Sequence, residues 1–557
     1  MNRKTFIRTT GLSIAAALMG DSILATPRKG TVHLINYPDA VSAVIDDQVV
    51  NLISSGKKRW MWKDATVSLE NTADSIAVFL QAPGVHLNSV TLHWKTPVKN
   101  SSAILNDQWE RTYGDVSWHK PSGSEILPWY FMEFNSNSTN GFGVKTGGSS
   151  FCSWQVDNGK LKLTLDTHSG GKGAALGNRK IKATEIVTFK GREVDTPFQT
   201  ARQFAFVMCG KARMPKEPVY GINDWYFSYG NNSEKLILQH TELMAPMAEG
   251  LSNLPFSVID AGWFQGPPSS PNDCCWGDDM KTPDSNFSDM GMLGEKIKKR
   301  GMRPGLWTRP LCGSSKDPKS LMLPDIKGRE EGRPVLDPTI PENLERIKNY
   351  FRLYNQWNYD LVKFDFTSFD IFGKWGFQML KDGSFTEPGW SMYDNSKTNA
   401  EIILNMYKTI REAAGEMYII GCNTFSHLSA GLFELNRIGD DTSGNEWDRT
   451  RKMGVNTLAF RGIQQGAFYA ADADCVGLTA KIPWDKNRQW MELVAKSGTP
   501  LFISAQPEAT GIPQKKFIKE CFQLASQILP VGEPLDWMQN QIPARWKLNG
   551  NVETFDW

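Results

Sequence analysis

From about residue 210 onward the chain alternates, eight times, between a short apolar run and a helical pattern. The runs are GINDWYFSYG from 221, LPFSVIDAGW from 254, MRPGLWTRP from 302, YDLVKFDF from 359, MYIIGC from 417, ELNRIGDD from 434, GAFYAADAD from 466 and TPLFISA from 499. Between them lie stretches with apolar residues at helical spacing, such as ENLERIKNYFRLYNQW and NAEIILNMYKTIREAAG, with QKKFIKECFQLASQI closing the series. A strand that must be followed by a helix before the next strand cannot form a hairpin. The crossover through a helix suits parallel pairing, with the helix covering one face. Eight such units predict an α/β fold, a (β/α)8 TIM barrel over residues 209–530.

Upstream the rhythm is different. Segments such as VHLINYP, ATVSLENT, SIAVFLQAP, VTLHWKTP and KLKLTLDTH alternate apolar and polar residues with period two, separated by Ser, Gly and Asn. That pattern predicts strands with one buried face, and so an N-terminal antiparallel β-sandwich over 26–208. After the barrel, the tail 531–557 carries RWKLNGNVETFDW, which reads as a further β-strand. Residues 1–25 are another kind of sequence. Arg3, Lys4 and Arg8 precede the small apolar run GLSIAAALMG, with a cleavage point expected near Ala25. NRKTFIR resembles a twin-arginine signal with Lys in place of one Arg. An exported bacterial protein, periplasmic or extracellular, is expected. Neither this run nor any later one is long enough to anchor the chain in a bilayer.

A net charge of +2 among 557 residues gives no field that would draw nucleic acid or another polyanion. The 20 tryptophans suit stacking on sugar rings, although tryptophan fills cores equally well. Eight cysteines show no CxxC or Cys/His zinc spacing, and the adjacent Cys274 and Cys275 could close only a strained disulfide.

A TIM barrel carries its chemistry at the C-terminal ends of its strands. There the sequence places Trp225 and Tyr229 on the first strand, Asp260 and Trp263 on the second, and Trp307 and Arg309 on the third. Lys363 and Asp365 follow on the fourth, Cys422 on the fifth, Arg437, Asp440 and Asp441 on the sixth, and Asp472 and Asp474 on the seventh. Lys363 and Asp365 are two residues apart, so both face the barrel mouth while Phe364 faces the helices. An ammonium beside a carboxylate keeps it ionised, as a nucleophile must be. For an isolated KxD, an ion pair bracing the barrel is the commoner fate. The convergence of carboxylates with aromatic walls tips the weighting toward glycoside hydrolysis. Few histidines fall at these ends, which speaks against Ser-His-Asp or two-metal chemistry.

In chain order, VIDAGW, RPGLW, LVKFDF, LNRIGDDT and YAADADCV resemble the motifs of the clan D α-galactosidases, glycoside hydrolase families 27 and 36. The resemblance covers roughly 220–505, and the leading sandwich is similar to family 36. It implies a retaining exo-glycosidase with Asp365 as nucleophile and Lys363 on the sugar hydroxyls. The acid/base stands four residues after a strand-six Arg, which gives Asp441 counted from Arg437, with Asp440 kept as the alternative. Arg437 itself is expected to aim at the sugar, and Asp365 to raise the pKa of Asp441. By the same resemblance Asp260, Trp263, Trp225, Trp307, Cys422 and Asp474 contribute to substrate binding. No metal or organic cofactor is implied, and the partner is a carbohydrate.

The motif departs from the family at Ala261, where the second Asp of a DDGW pair is expected. That leaves the sugar open: galactose, N-acetylgalactosamine or β-L-arabinopyranose. A transglycosylase of the raffinose-synthase type, a non-catalytic sugar-binding barrel and an α-glucosidase-like enzyme are the alternatives.

Overall fold

The computed structural model describes residues 33–557 apart from 100, 158, 268, 269, 271 and 330–332. The expected export segment 1–25 lies outside these residues. None of the described helices is long and apolar enough to cross a membrane.

Residues 40–190 build two antiparallel sheets, of six and eight strands, and one short two-stranded ribbon. Period two governs their burial: in Lys160–Asp166, Leu161, Leu163 and Leu165 are buried and their neighbours are not. The two sheets face each other across apolar side chains. Phe131 of one meets Trp154 of the other edge to face, with ring centroids 6.0 Å apart. VHLINYP, expected as a strand, is corrected: its described residues 33–38 form no ladder. Side-chain bonds replace it there, with Leu34 N donating to Thr188 and Asn36 O accepting from Trp94 Nε1.

A helix, Pro197–Cys209, links this region to the next. Its start is fixed by sequence: Thr196 caps it, Gln199 returns the bond, and proline occupies the first turn.

The second region holds one parallel sheet. Its strands, in spatial order, are Ala470–Asp472, Leu435–Arg437, Tyr418–Gly421, Leu361–Phe364, Arg303–Thr308, Phe256–Ile259, Tyr220–Asn223, Leu501–Ala505 and Cys475–Leu478. Every neighbouring pair is parallel. The two edges are nearly contiguous in the chain, because only Ala473 and Asp474 separate Asp472 from Cys475. Asp474 adopts a left-handed φ of 70° at this break, so one segment pairs first at one edge and then at the other. The strands are short, three to six residues each. Tyr220–Asn223 stops three residues into its apolar run, and Trp225 already lies in a one-turn helix.

Side chains alternate as period two requires. Phe364 is fully buried against Phe351, Tyr407 and Phe433 on the helical side, while Lys363 and Asp365 face the mouth. The tail folds as a three-stranded antiparallel sheet of Glu533–Pro534, Arg545–Leu548 and Asn551–Thr554. It is tied down by Glu553 on Lys496 at 2.8 Å and by Trp557 against Trp447.

Candidate active site

At the C-terminal ends of the parallel strands lies a cavity of about 320 Å³, at the small end of ordinary ligand pockets (~300–1,000 Å³). Trp225, Asp260, Ala261, Trp307, Lys363, Asp365, Asp440 and Asp441 line it, together with Arg111, Tyr113, Cys275, Phe366, Trp375 and Phe377.

Asp260 stands one residue past its strand and is buried. Its Oδ2 accepts from Asn223 Nδ2 at 2.6 Å and from Lys363 Nζ at 2.8 Å. The turn behind it requires glycine: Gly262 has a φ of +108°, and a Cβ there would lie 2.4 Å from Gly230 O. The neighbouring Asp224 accepts from Asp260 N at 2.7 Å, and burial together with the Asp260 charge lifts its carboxyl to about 6. Lys363 is thus paired with Asp260 and not, as its spacing implied, chiefly with Asp365. Although burial opposes its charge, Asp260 raises the ammonium's pKa well above the ordinary value.

Asp365 is anchored through its backbone N–H to Thr308 O at 3.0 Å. Its Oδ1 accepts from Phe366 N at 2.8 Å, with Phe366 in the left-handed region at φ 62°. Its Oδ2 has only a long contact to Trp307 Nε1, 3.4 Å, and otherwise faces the cavity. One oxygen held and one oxygen free is the disposition a nucleophile needs.

Asp441 sits opposite in charge environment. Its side chain is 40% exposed, into the cavity, and Oδ1 accepts from Arg437 Nη2 at 3.0 Å, with Arg111 Nη1 at 3.9 Å. Burial pushes its carboxyl upward, but Arg437, Arg111 and Lys363 outweigh it and hold the pKa at about 2. The expected elevation by Asp365 is therefore corrected: nearby cations dominate. Asp440 lies between Arg111 and Arg449, each at 2.9 Å.

Four further expectations are corrected in the same way. Arg437 is buried behind the wall, bound to Asp441 and, at 3.1 Å, to Asp474, and does not line the cavity. Asp474 is spent on Arg437, Tyr226 OH and both the N–H and the hydroxyl of Thr442. Trp263 is fully buried, donates its Nε1 to Trp307 O at 2.8 Å and packs on Phe264, Tyr354 and Trp357. Cys422 lies beneath the floor, its Sγ beside Arg437 Nη1 at 3.7 Å. These residues hold the wall in place from the outside.

Sequence reasoning missed Arg111, Tyr113, Cys275, Phe366, Trp375 and Phe377. Arg111 and Tyr113 come from the antiparallel region. The segment WERTY is stitched to the loop after Leu435–Arg437: Thr112 N donates to Ile438 O and Asp440 N to Thr112 O, at 3.0 and 2.8 Å. Fully buried Glu110 then gathers Tyr113 OH, Ser368 Oγ, Asn423 Nδ2 and Gly376 N. This fixes the loop that presents Trp375 and Phe377. Arg111 lies over the Trp375 ring at 5.2 Å. Among the described residues no group of three or more His, Cys, Asp and Glu side chains is arranged to hold a metal ion.

No protein-family model matches the chain, and no curated protein matches it. Solved structures do. An α-galactosidase from Thermus thermophilus in complex with p-nitrophenyl α-D-galactopyranoside superposes with a TM-score of 0.59 at 17% identity, covering 92% of this chain and 98% of that one. A family GH36 α-galactosidase from Geobacillus stearothermophilus with 1-deoxygalactonojirimycin gives 0.58 at 13%, covering 88% and 73%. The α-galactosidase from Lactobacillus brevis gives 0.57 at 14%, covering 89% and 69%. At these identities the likeness is one of fold.

Proposed function

We propose that the parallel sheet closes as a (β/α)8 barrel behind an N-terminal β-sandwich, and that the protein is a retaining exo-glycosidase of the α-galactosidase kind. The observation that carries the reading is the cavity itself. It holds a carboxylate with one free oxygen, Asp365, facing a second carboxylate, Asp441, with Lys363, Asp260 and two tryptophans in the same small space. Solved structures of this fold are described in complex with stachyose and with raffinose, which supports a terminal galactose-like sugar as ligand.

In this mechanism Asp365 attacks the anomeric carbon and the glycosidic bond breaks. Asp441 gives its proton to the leaving oxygen, then takes one from the water that releases the sugar from Asp365. In the empty site Asp441 is chiefly an anion, held so by Arg437, Arg111 and Lys363, so the acid step draws on its protonated minority. Once Asp365 is esterified its charge is gone and Asp441 stays ionised, the form that can accept the water's proton. A retaining mechanism places the two carboxyl groups ~5–5.5 Å apart, and an inverting one ~6.5–9.5 Å. The anomeric form of the first product, read by NMR, decides between them.

Ala261 lines the cavity where the family motif carries a second carboxylate. Its methyl cannot grip a hydroxyl, so a galactose-like sugar with different contacts, N-acetylgalactosamine or β-L-arabinopyranose, is the second reading. The test is hydrolysis of p-nitrophenyl α-galactoside, α-N-acetylgalactosaminide, β-L-arabinopyranoside and α-glucoside by the protein and by Asp365→Ala. Turnover of one of the first three, abolished in the variant, is expected. Turnover that survives Asp365→Ala removes the nucleophile assignment. Silence on all four favours another sugar or linkage, or a non-catalytic sugar-binding barrel. Products formed with an added acceptor sugar separate hydrolysis from transglycosylation.

A further inference from the structure

The loop after Phe256–Ile259 brings two adjacent thiols to the cavity. Cys275 lines it, and Cys274 Sγ lies 3.4 Å from Cys275 Sγ. All eight cysteines are free thiols, and among the described residues this is the only pair whose sulfurs touch. The backbone beneath them is fixed on both sides. Asp273 Oδ1 accepts from Cys275 N at 3.0 Å and from Trp276 N at 3.1 Å, and Asp273 is itself held by Arg333 at 2.6 Å. Cys275 O accepts from Arg309 Nη1 at 3.0 Å, and Arg309 is locked to buried Asp370. Cys274 packs on bare backbone, since a Cβ at Gly230 would fall 2.3 Å from Cys274 Cβ. Neither sulfur takes part in the glycosidase reading, yet the loop keeps them together beside the cavity.

We infer that Cys274 and Cys275 form a reversible modification site in the cavity wall, a dithiol that a small disulfide oxidant converts to a Cys274–Cys275 disulfide, with a change in how the cavity binds its ligand. The two thiols are unequal. The hydrogen bond from Cys275 draws Cys274 down to about 7, against the effect of burial, while the same bond and burial push Cys275 up. Cys274 thiolate therefore attacks first. It takes one sulfur of the oxidant and expels the other as a thiolate. Cys275 gives its proton to that thiolate and attacks Cys274 Sγ, forming the bridge and expelling the second thiol. Two electrons pass from the pair to the oxidant, and two small thiols leave. Neighbouring Cα atoms are ~3.8 Å apart, closer than the ~4.4–6.8 Å of ordinary disulfides, so the bridge is strained and readily reduced.

The test uses the whole protein, reduced with a thiol-free phosphine and then exposed to oxidised glutathione. Intact and peptide mass spectrometry should show the loss of two hydrogens on the peptide that holds both cysteines, with no glutathione retained there. Cys275→Ser should keep one glutathione on Cys274. Galactose binding, followed by tryptophan fluorescence, should weaken several-fold on oxidation and recover on reduction. A stable glutathione adduct on wild-type Cys274, an unreactive pair, or a bridge that leaves galactose binding unchanged would overturn the inference. If neither form binds galactose, the galactosidase reading falls, while the mass result still decides whether the site exists.

Discussion

At the scale of single residues, the decisive balance is between Asp441 and the cations around it. A carboxyl held at about 2 is almost wholly ionised at neutral pH, yet the proposed reaction asks it for a proton. Each pH unit above that value lowers the protonated fraction tenfold, so kcat/KM on a disaccharide should fall along this basic limb. Arg111→Gln removes one of the cations that depress the pKa and should move the limb to higher pH. A pH profile of kcat/KM for the two proteins checks this, and an unmoved limb would separate Asp441 from the proton transfer. Asp441→Asn should cost about 10²–10⁴-fold on a disaccharide, and far less on a p-nitrophenyl glycoside, whose leaving group needs no proton. Asp440→Asn, tested beside it, should not show that split. If the split appears at Asp440 instead, the two roles are exchanged.

At the scale of elements, the site depends on one loop and the buried carboxylate that holds it. Removing Glu110 leaves Ser368, Asn423 and Gly376 N without their partner in a fully buried place. Glu110→Ala should lower stability by on the order of 3 kcal/mol, read by urea unfolding. It should also raise KM more than it lowers kcat, because Trp375 and Phe377 lose their anchor. Phe364→Ala, on the opposite face of the strand that bears Asp365, should cost about 3–5 kcal/mol through the cavity it opens. The strands themselves were legible: parallel sheets bury both faces, so their apolar runs stand out, and the motifs VIDAGW, LVKFDF and LNRIGDD carry their site residues within four positions of the strand end. Arg437 and Asp474 show what such spacing cannot give. Both stand at strand ends as read, but which side of the wall a side chain takes depends on partners such as Tyr226 and Thr442 that no motif names. Arg111 was illegible for a plainer reason. WERTY has neither period two nor helical spacing, and its importance comes from pairing with a loop far away in the chain.

At the scale of the molecule, the antiparallel and parallel regions are joined by buried polar groups. Arg461 pairs with Asp107 at 2.9 Å, both almost fully buried. His427 of the parallel region bonds Val144 O at 2.8 Å and stacks on Trp129 with ring centroids 4.9 Å apart. Burial lowers the His427 pKa to about 4. The unfolded chain takes up that proton near 6.5 and the folded one resists it, so this residue withdraws stability as pH falls from about 6.5 toward 4. Between pH 6.5 and 5 the loss is about 1–2 kcal/mol. His427→Gln should lose that much less over the same interval, measured by urea unfolding at the two pH values; an equal loss in both proteins would show that His427 is not the sensor. The same joint has a consequence in time. Thr112 and Thr457, which touch at 2.8 Å, are 345 residues apart in sequence. A ribosome makes the Arg111 wall early and the Asp440–Asp441 wall late, so no nascent chain that stops short of Leu435–Arg437 can close this cavity, and under the proposed function activity arrives only late in synthesis.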